Sequence, residues 1–279
     1  MLQTLQTQQH HTKPIKNTLP LDSSTGWFIG AYLGEGSSTP SSVSISNVNE
    51  TYISHAKTFA THNGVFSVDR LSQGEFGPSR NITLQSSLLS QFITNTCSKG
   101  ANLKRVPDFA YNAPDEFISG LLRSYFDGDG NFHVSHKMIR VSSNSKQLVN
   151  GVALLLNRFK IFSFKTKDKK GQHWLLIPYK YAPLFLQHIG SDITHKRKAL
   201  EKLAHLAENF WNNTSQDYTD MISGFGTLFY DTAKKAGMPT RYVNNFTKRQ
   251  RIGRTALSRY IKKFEILAQD IRKLYSTPM

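Results

Sequence analysis

The sequence predicts an α+β protein made of two pseudo-symmetric αββαββα repeats followed by a helical, basic C-terminal region. Three observations lead there. A nonapeptide pattern occurs twice, a similar order of apolar segments follows each copy, and the chain turns polar and then strongly basic beyond residue 206.

The two copies are Phe28-Ile-Gly-Ala-Tyr-Leu-Gly-Glu-Gly36 and Leu122-Arg-Ser-Tyr-Phe-Asp-Gly-Asp-Gly130. Each reads as an apolar helix with small residues four apart, Gly30 and Gly34 in the first and Ser124 and Gly128 in the second. Each therefore carries a flat stripe on one helical face. Two such stripes can pack with their backbones nearly touching, which brings Glu35 and Asp129 to the same end of the pair. Negative charge at a helix C-terminus opposes the macrodipole, and neighbouring acids repel, so the arrangement is poor as a stabilising device. A divalent cation between the acids resolves the conflict. Hard oxygen ligands suit Mg2+, which keeps waters and accepts phosphate oxygens. One apolar helix closed by acid-glycine is commonly a core helix with a glycine cap, so the recurrence carries the reading.

The acids lie 94 residues apart, room for one small α/β unit per copy. After Glu35, the alternating Ser42-Val-Ser-Ile-Ser46 reads as a strand and Tyr52–Thr61 as a helix. Val65–Val68 and Ile82–Leu84 read as strands, and Leu88–Ile93 as a helix. After Asp129 the order recurs: strands Phe132–Val134 and Ile139–Val141, helix Leu148–Phe159, strands Ile161–Phe164 and Trp174–Ile177, helix Ala182–Ile189. Either half alone is small for an independent core, so the halves are expected to dock through the signature helices. The expected domains are a flexible tail 1–22, a first repeat 23–114, a second repeat 115–206 and a helical region 207–279.

Net charge is +16, with 35 Lys and Arg against 19 acids, and a polyanion is the natural partner. Basic residues recur on strand-like segments: Arg70 and Arg80 in the first half, Arg140, Lys165, Lys167 and Lys169 in the second. Lys165, Lys167 and Lys169, two apart, can line one side of a sheet as in a β-ribbon reader; a solubilising charged hairpin is the alternative. Ser42, Ser44 and Ser46 alternate likewise, and hydroxyls on such a face can meet bases or phosphates. No apolar run reaches a membrane span, and residues 1–17 lack the apolar centre of a secretion signal. The single cysteine, Cys97, excludes an intramolecular disulfide and cysteine-rich zinc binding, which fits a reducing, intracellular setting with organelle, nucleus and prokaryotic cytoplasm left open. His133 and His136, three apart on a strand, are expected to face opposite sides.

The paired nonapeptides resemble the signature of LAGLIDADG homing endonucleases in their single-chain, two-repeat form, and align with it without gaps. The resemblance implies that the two sheets form a DNA-binding saddle. It places the metal-binding acids at Glu35 and Asp129, helped by backbone carbonyls near Gly34 and Gly128. It also implies a monomer that hydrolyses one phosphodiester on each strand of double-stranded DNA with Mg2+, for which Mn2+ can substitute, to start the homing of an intron or intein. A basic residue in each half should steady the water network or the phosphate charge. Lys104 and Lys196 are the candidates, since each opens a Lys-Arg pair, at offsets of 69 and 67 residues from its acid. Ordinary surface charges are the alternative for both. The sixth-position acid of the signature is present as Asp127 but replaced by Leu33 in the first copy, and Glu35 stands where Asp is usual. These departures keep a second reading open, a cleavage-deficient DNA-binding regulator or an intron RNA maturase of the same family.

Beyond Asn209–Gln216, read as a linker, Met221–Ala236 and Thr255–Leu274 read as helices. Residues 206–279 hold twelve Lys or Arg against six acids, and eight of the twelve fall between Arg241 and Lys263. The stretch from Arg251 to Phe264 resembles the C-terminal region of intein-borne endonucleases and has the turn-then-basic-helix style of a helix-turn-helix unit. Arg249, Arg251, Arg254 and Arg259 are the candidate DNA contacts there; the alternative is a helix that packs Leu257, Ile261 and Phe264 on a core. The chain ends carry no splicing nucleophile, so a free-standing, intron-encoded or separated endonuclease is expected.

Overall fold

The computed structural model describes residues 18–74, 77–208, 221–224, 226–241 and 243–276. Most of the tail 1–22 and all of the expected linker 209–216 lie outside them. The chain divides into two compact units, Met1–Glu208 and Asn209–Met279.

In the first unit, helix α1 (Ser23–Glu35) starts where the Asp22 carboxylate accepts the Thr25 amide at 2.8 Å. It leads into β1 (Gly36–Thr39), β2 (Ser42–Ser46), α2 (Glu50–His62), β3 (Phe66–Gly74), β4 (Gly77–Gln85) and α3 (Ser87–Cys97). A short 3-10 turn, Asp108–Asn112, precedes the second repeat. That repeat runs α4 (Asp115–Asp129), β5 (Asn131–His133), β6 (Met138–Ser143), α5 (Lys146–Arg158), β7 (Phe164–Lys167), β8 (His173–Pro178) and α6 (Ala182–His188), and α7 (Thr194–Glu208) follows. The two four-stranded antiparallel sheets have matching orders, β1-β2-β4-β3 and β5-β6-β8-β7. The expected αββαββα repeats are therefore present. Asn49, Ser86 and Ser145 cap α2, α3 and α5 in the same way, each side-chain oxygen accepting the amide three residues on.

Helices α1 and α4 form the seam between the repeats, and their backbones touch. A methyl group added at Gly30 would lie 2.0 Å from the Leu121 carbonyl oxygen, and one at Gly120 would lie 2.2 Å from that of Ser23. Only glycine permits this approach. Ser124 donates its hydroxyl across the seam to the Trp27 carbonyl at 2.6 Å, and the Tyr52 hydroxyl donates to the Ser124 carbonyl at 3.0 Å. One apolar core runs through both repeats, from Phe28 stacked on Phe59 at 4.2 Å to Phe126 edge-on to Phe185 at 5.0 Å.

Several expectations shift. The strand expected at Ile161–Phe164 starts only at Phe164. Lys160, with φ at 58°, turns the chain after α5, and Ile161 is buried in the core instead of joining a ladder. Strand β1, hidden in a Gly/Ser/Thr stretch without apolar alternation, pairs with β2 from Gly36 opposite Ile45 to Thr39 opposite Ser42. His133 and His136 do not face opposite ways. The turn after β5 folds back, and the two rings stack 3.9 Å apart.

In the second unit, Met221–Ala236 is not one helix. Met221–Ser223 forms β9, paired antiparallel with β10 (Arg251–Gly253), and α8 spans Gly226–Lys235. Helices α9 (Val243–Arg249) and α10 (Arg254–Ser276) complete it. Its small core gathers Phe229, Ala233, Val243, Ile252 and Ala256, with Leu257 and Phe264 packed against them, while Ile261 is left 43% exposed.

Candidate metal centre and nucleic-acid interface

The C-terminal ends of α1 and α4 lie side by side, so Glu35 and Asp129 sit each against the other helix. A methyl group at Gly128 would lie 2.9 Å from Glu35 Cγ and 3.5 Å from Oε1, and one at Gly34 would lie 3.5 Å from Asp129 Oδ2. The small seventh residue of each copy thus makes room for the acid of the other. Burial, then the neighbouring Asp129 charge, raises the Glu35 carboxyl to about 7, against the opposing pull of Lys196 and Lys104. Asp129 is also raised by burial, with Lys104 and Lys196 pulling it down.

Each helix end is closed by one lysine. The Lys104 ammonium donates to the carbonyls of Tyr32, Leu33 and Gly36 at 2.6, 3.1 and 2.8 Å. Lys196, in the first turn of α7, donates to those of Phe126, Asp127 and Gly128 at 3.2, 2.6 and 3.0 Å. Tyr32 and Leu33 occupy the same signature positions as Phe126 and Asp127, so the lysines are structural counterparts. Both cap orphan helix carbonyls with a positive charge where the dipole favours one. Burial lowers Lys104 to about 8 and moves Lys196 in the same direction. The Gly128 carbonyl is shared with Lys196, whereas that of Gly34 is not among the acceptors of Lys104.

Asp127 serves only the second repeat. It accepts from the Ser191 hydroxyl and, at 2.8 Å, from the Asp192 amide, fixing the loop from which α7 delivers Lys196. Leu33, its counterpart, is simply buried. Tyr52, which the sequence did not single out, is fully enclosed near Glu35, Asp127 and Asp129, and its hydroxyl is pushed well up, first by burial and then by those charges. No local pattern on α2 marks it, because its role depends on the other repeat.

Two desolvated carboxylates in mutual repulsion fit a hard divalent cation. Among the described residues no third His, Cys, Asp or Glu joins a metal-binding group, so most of the coordination shell falls to carbonyls, water and phosphate oxygens, the pattern Mg2+ tolerates.

The sheet registers sort the other candidates by face. Directly paired residues share a face, and the helix-covered faces carry Val43, Ile45, Ile82 and Leu84 in one sheet, Ile139, Val141, Leu175 and Ile177 in the other. Ser44 and Arg70 fall on the opposite, open face of the first sheet, and Arg140 on that of the second, while Ser42 shares the face of Ser44 but is buried, its hydroxyl bonded to that of Thr39 at 2.9 Å. Arg80 does not. It lies on the helix side, bonded to Asp69 at 2.6 Å and to Glu50, with Lys57 joining Asp69 at 2.7 Å. The three lysines do not form one row either. Lys165 pairs with buried Leu175 and donates to Asn150 of α5 at 2.9 Å, so it and Lys167 project on the helix side, and Lys169 lies beyond the end of β7. Period two fixes a common face but not which face, and the register against Leu175 decides that. In the second unit, Arg251 lies on β10, and Arg254 and Arg259 lie on α10. Arg249 closes α9, and its side chain is outside the described residues.

Residues 116–190 match the LAGLIDADG-like domain. The chain is similar to DNA-directed RNA polymerase subunit Rpo1C of Methanocaldococcus jannaschii, 39% identical over 256 residues that make up 92% of this chain and 29% of that subunit. It is also similar to a DNA polymerase of Thermococcus hydrothermalis, 38% identical over 77 residues, 28% of this chain and 5% of the polymerase. The chain thus spans less than a third of the length of either relative. Among solved structures, I-DmoI in complex with DNA and Ca superimposes with a TM-score of 0.51 at 14% identity, covering 65% of this chain and 98% of that one, a likeness of fold.

Proposed function

We propose that this chain, a member of the LAGLIDADG homing endonuclease family, is a site-specific, metal-dependent endonuclease of double-stranded DNA. One observation carries the proposal: two counterpart helix ends bring Glu35 and Asp129 together, each end closed by a lysine, buried Lys104 and half-buried Lys196. Such a cluster is costly for folding alone and useful for holding a cation against a phosphate.

Glu35 and Asp129 would hold the divalent cation, with carbonyl help near Gly34 and Gly128. When bound, the cation supplies a nucleophilic water near neutral pH and stabilises charge on the phosphate and the leaving 3′ oxygen. Lys104 and Lys196 hold the carbonyls that end each helix and so keep both carboxylates aimed at the seam. Their charges also offset the acids before metal enters. The open sheet faces meet the duplex, and the basic second unit adds an auxiliary DNA contact. Similarity to one portion of an RNA polymerase subunit and to a short part of a DNA polymerase supports a mobile insert, borne by an intein or intron, that homes into host genes. No helix among the described residues is long and apolar enough to cross a membrane.

The test is incubation with the uninterrupted host gene and Mg2+. Linear product supports the proposal. Binding without cleavage supports a DNA-binding regulator instead, and preferential binding of intron RNA supports a maturase.

A further inference from the structure

The matching strand orders give open-face residues of the inner strands counterparts on the other sheet, and the side chains at one such pair differ sharply. Counting from Gly36 and Gly130, which follow the two signature acids, Ser37 pairs with Ser44 in the first repeat and Asn131 pairs with Arg140 in the second. Ser44 and Arg140 are therefore equivalent. Across the ladder, the Ser44 row continues to Thr83 and Val68, and the Arg140 row to Leu176 and Phe164.

The two positions offer different chemistry to a duplex. Ser44 and Thr83 bond hydroxyl to hydroxyl at 2.9 Å, and either oxygen can be the donor. Such a pair presents a donor or an acceptor with equal ease, and serine and threonine pair with several bases. The Arg140 guanidinium instead lies 5.5 Å over the ring of Trp174, and its Nε is buried without a hydrogen-bond partner. An indole beneath the guanidinium fixes its plane, and a planar fork of donors matches the O6 and N7 acceptors of guanine.

We infer that Arg140, held on Trp174, reads a guanine under the second sheet, while the equivalent position of the first sheet accepts more than one base. Sequence recognition is then divided unequally between the repeats. This rests on the DNA-binding reading above. Trp174 acts as a positioning residue, since it touches the arginine and orients it.

The experiment is selection from a random duplex pool by the full chain, with Ca2+ in place of Mg2+, for the native protein and the variants R140K, W174A and S44A. Lysine keeps the charge and loses the fork. Expected is one G·C position at which R140K and W174A each lower discrimination about ten-fold, the scale of one good bidentate contact. S44A should change no position more than about two-fold. Unchanged base preferences in R140K, or an equal relaxation by S44A, would overturn the inference and leave DNA binding intact. Failure of the native chain to retain any duplex would overturn the DNA-binding reading, and this inference with it, whereas retention without enrichment of any sequence would overturn this inference alone.

Discussion

Replacing Glu35 by glutamine should make the protein more stable while removing one ligand of the proposed metal site. The Glu35 carboxyl is raised from 4.5 to about 7, first by burial and then by Asp129. A carboxyl whose folded pKa is raised binds its proton more tightly in the folded state, so stability falls as pH climbs from about 4.5 and the full penalty is present above about 7. The shift corresponds to about 3 kcal/mol at pH 8. Glutamine keeps the shape and removes the charge but still buries an amide, so the expected gain is about 1–3 kcal/mol, or several degrees in the melting temperature of a unit this size. Thermal unfolding followed by circular dichroism at pH 8 and at pH 4 checks it. The gain should appear at pH 8, shrink towards zero at pH 4 where the native carboxyl is protonated, and reverse in sign when Ca2+ stabilises the native protein alone. A glutamine variant that melts lower at pH 8 without metal, or gains equally at both pH values, would refute the reasoning.

Asp129→Asn should leave duplex binding within about two-fold and lower cleavage by two orders of magnitude or more, measured by gel shift and by plasmid linearisation. Binding of Mn2+, followed by calorimetry, should weaken about ten-fold per pH unit below about 7, because protons compete with the cation for Glu35. Gly30→Ala should cost about 2–4 kcal/mol in a denaturant titration, since its methyl group meets the Leu121 carbonyl oxygen at 2.0 Å and the Ser124 hydroxyl at 2.2 Å. Lys104→Met should destabilise by about 2–4 kcal/mol, because three carbonyls at the junction of α1 and β1 lose one buried donor, and it should do so without Mg2+ present.

The repeat itself was legible because its signal is local and doubled. Small residues four apart, an acid before a glycine and matching apolar periods each constrain backbone geometry within a few residues. Element order followed from the same periods, and it failed where the local signal was weak: β1 is Gly/Ser/Thr without alternation, and Met221–Ser223 is too short to separate from the helix after it. The similar offsets of Lys104 and Lys196, 69 and 67 residues from their acids, marked two positions that do occupy counterpart places, but nothing in the sequence said that each would close the helix of its own repeat.

What the sequence alone determined is which residues repeat and which chemistry they carry, two acids and two lysines on a duplicated frame in a chain of net charge +16. What only the tertiary structure decided is direction and distance. Lys165 and Arg80 look like ligand-facing cations by spacing, yet ladder pairing with Leu175 and ion pairing with Asp69 turn them to the helix side. Tyr52 becomes part of the acidic cluster only because α2 leans on the helix of the other repeat. Period and spacing are properties of one segment. The face a strand presents, and the company a buried charge keeps, depend on where a second segment lies across the core.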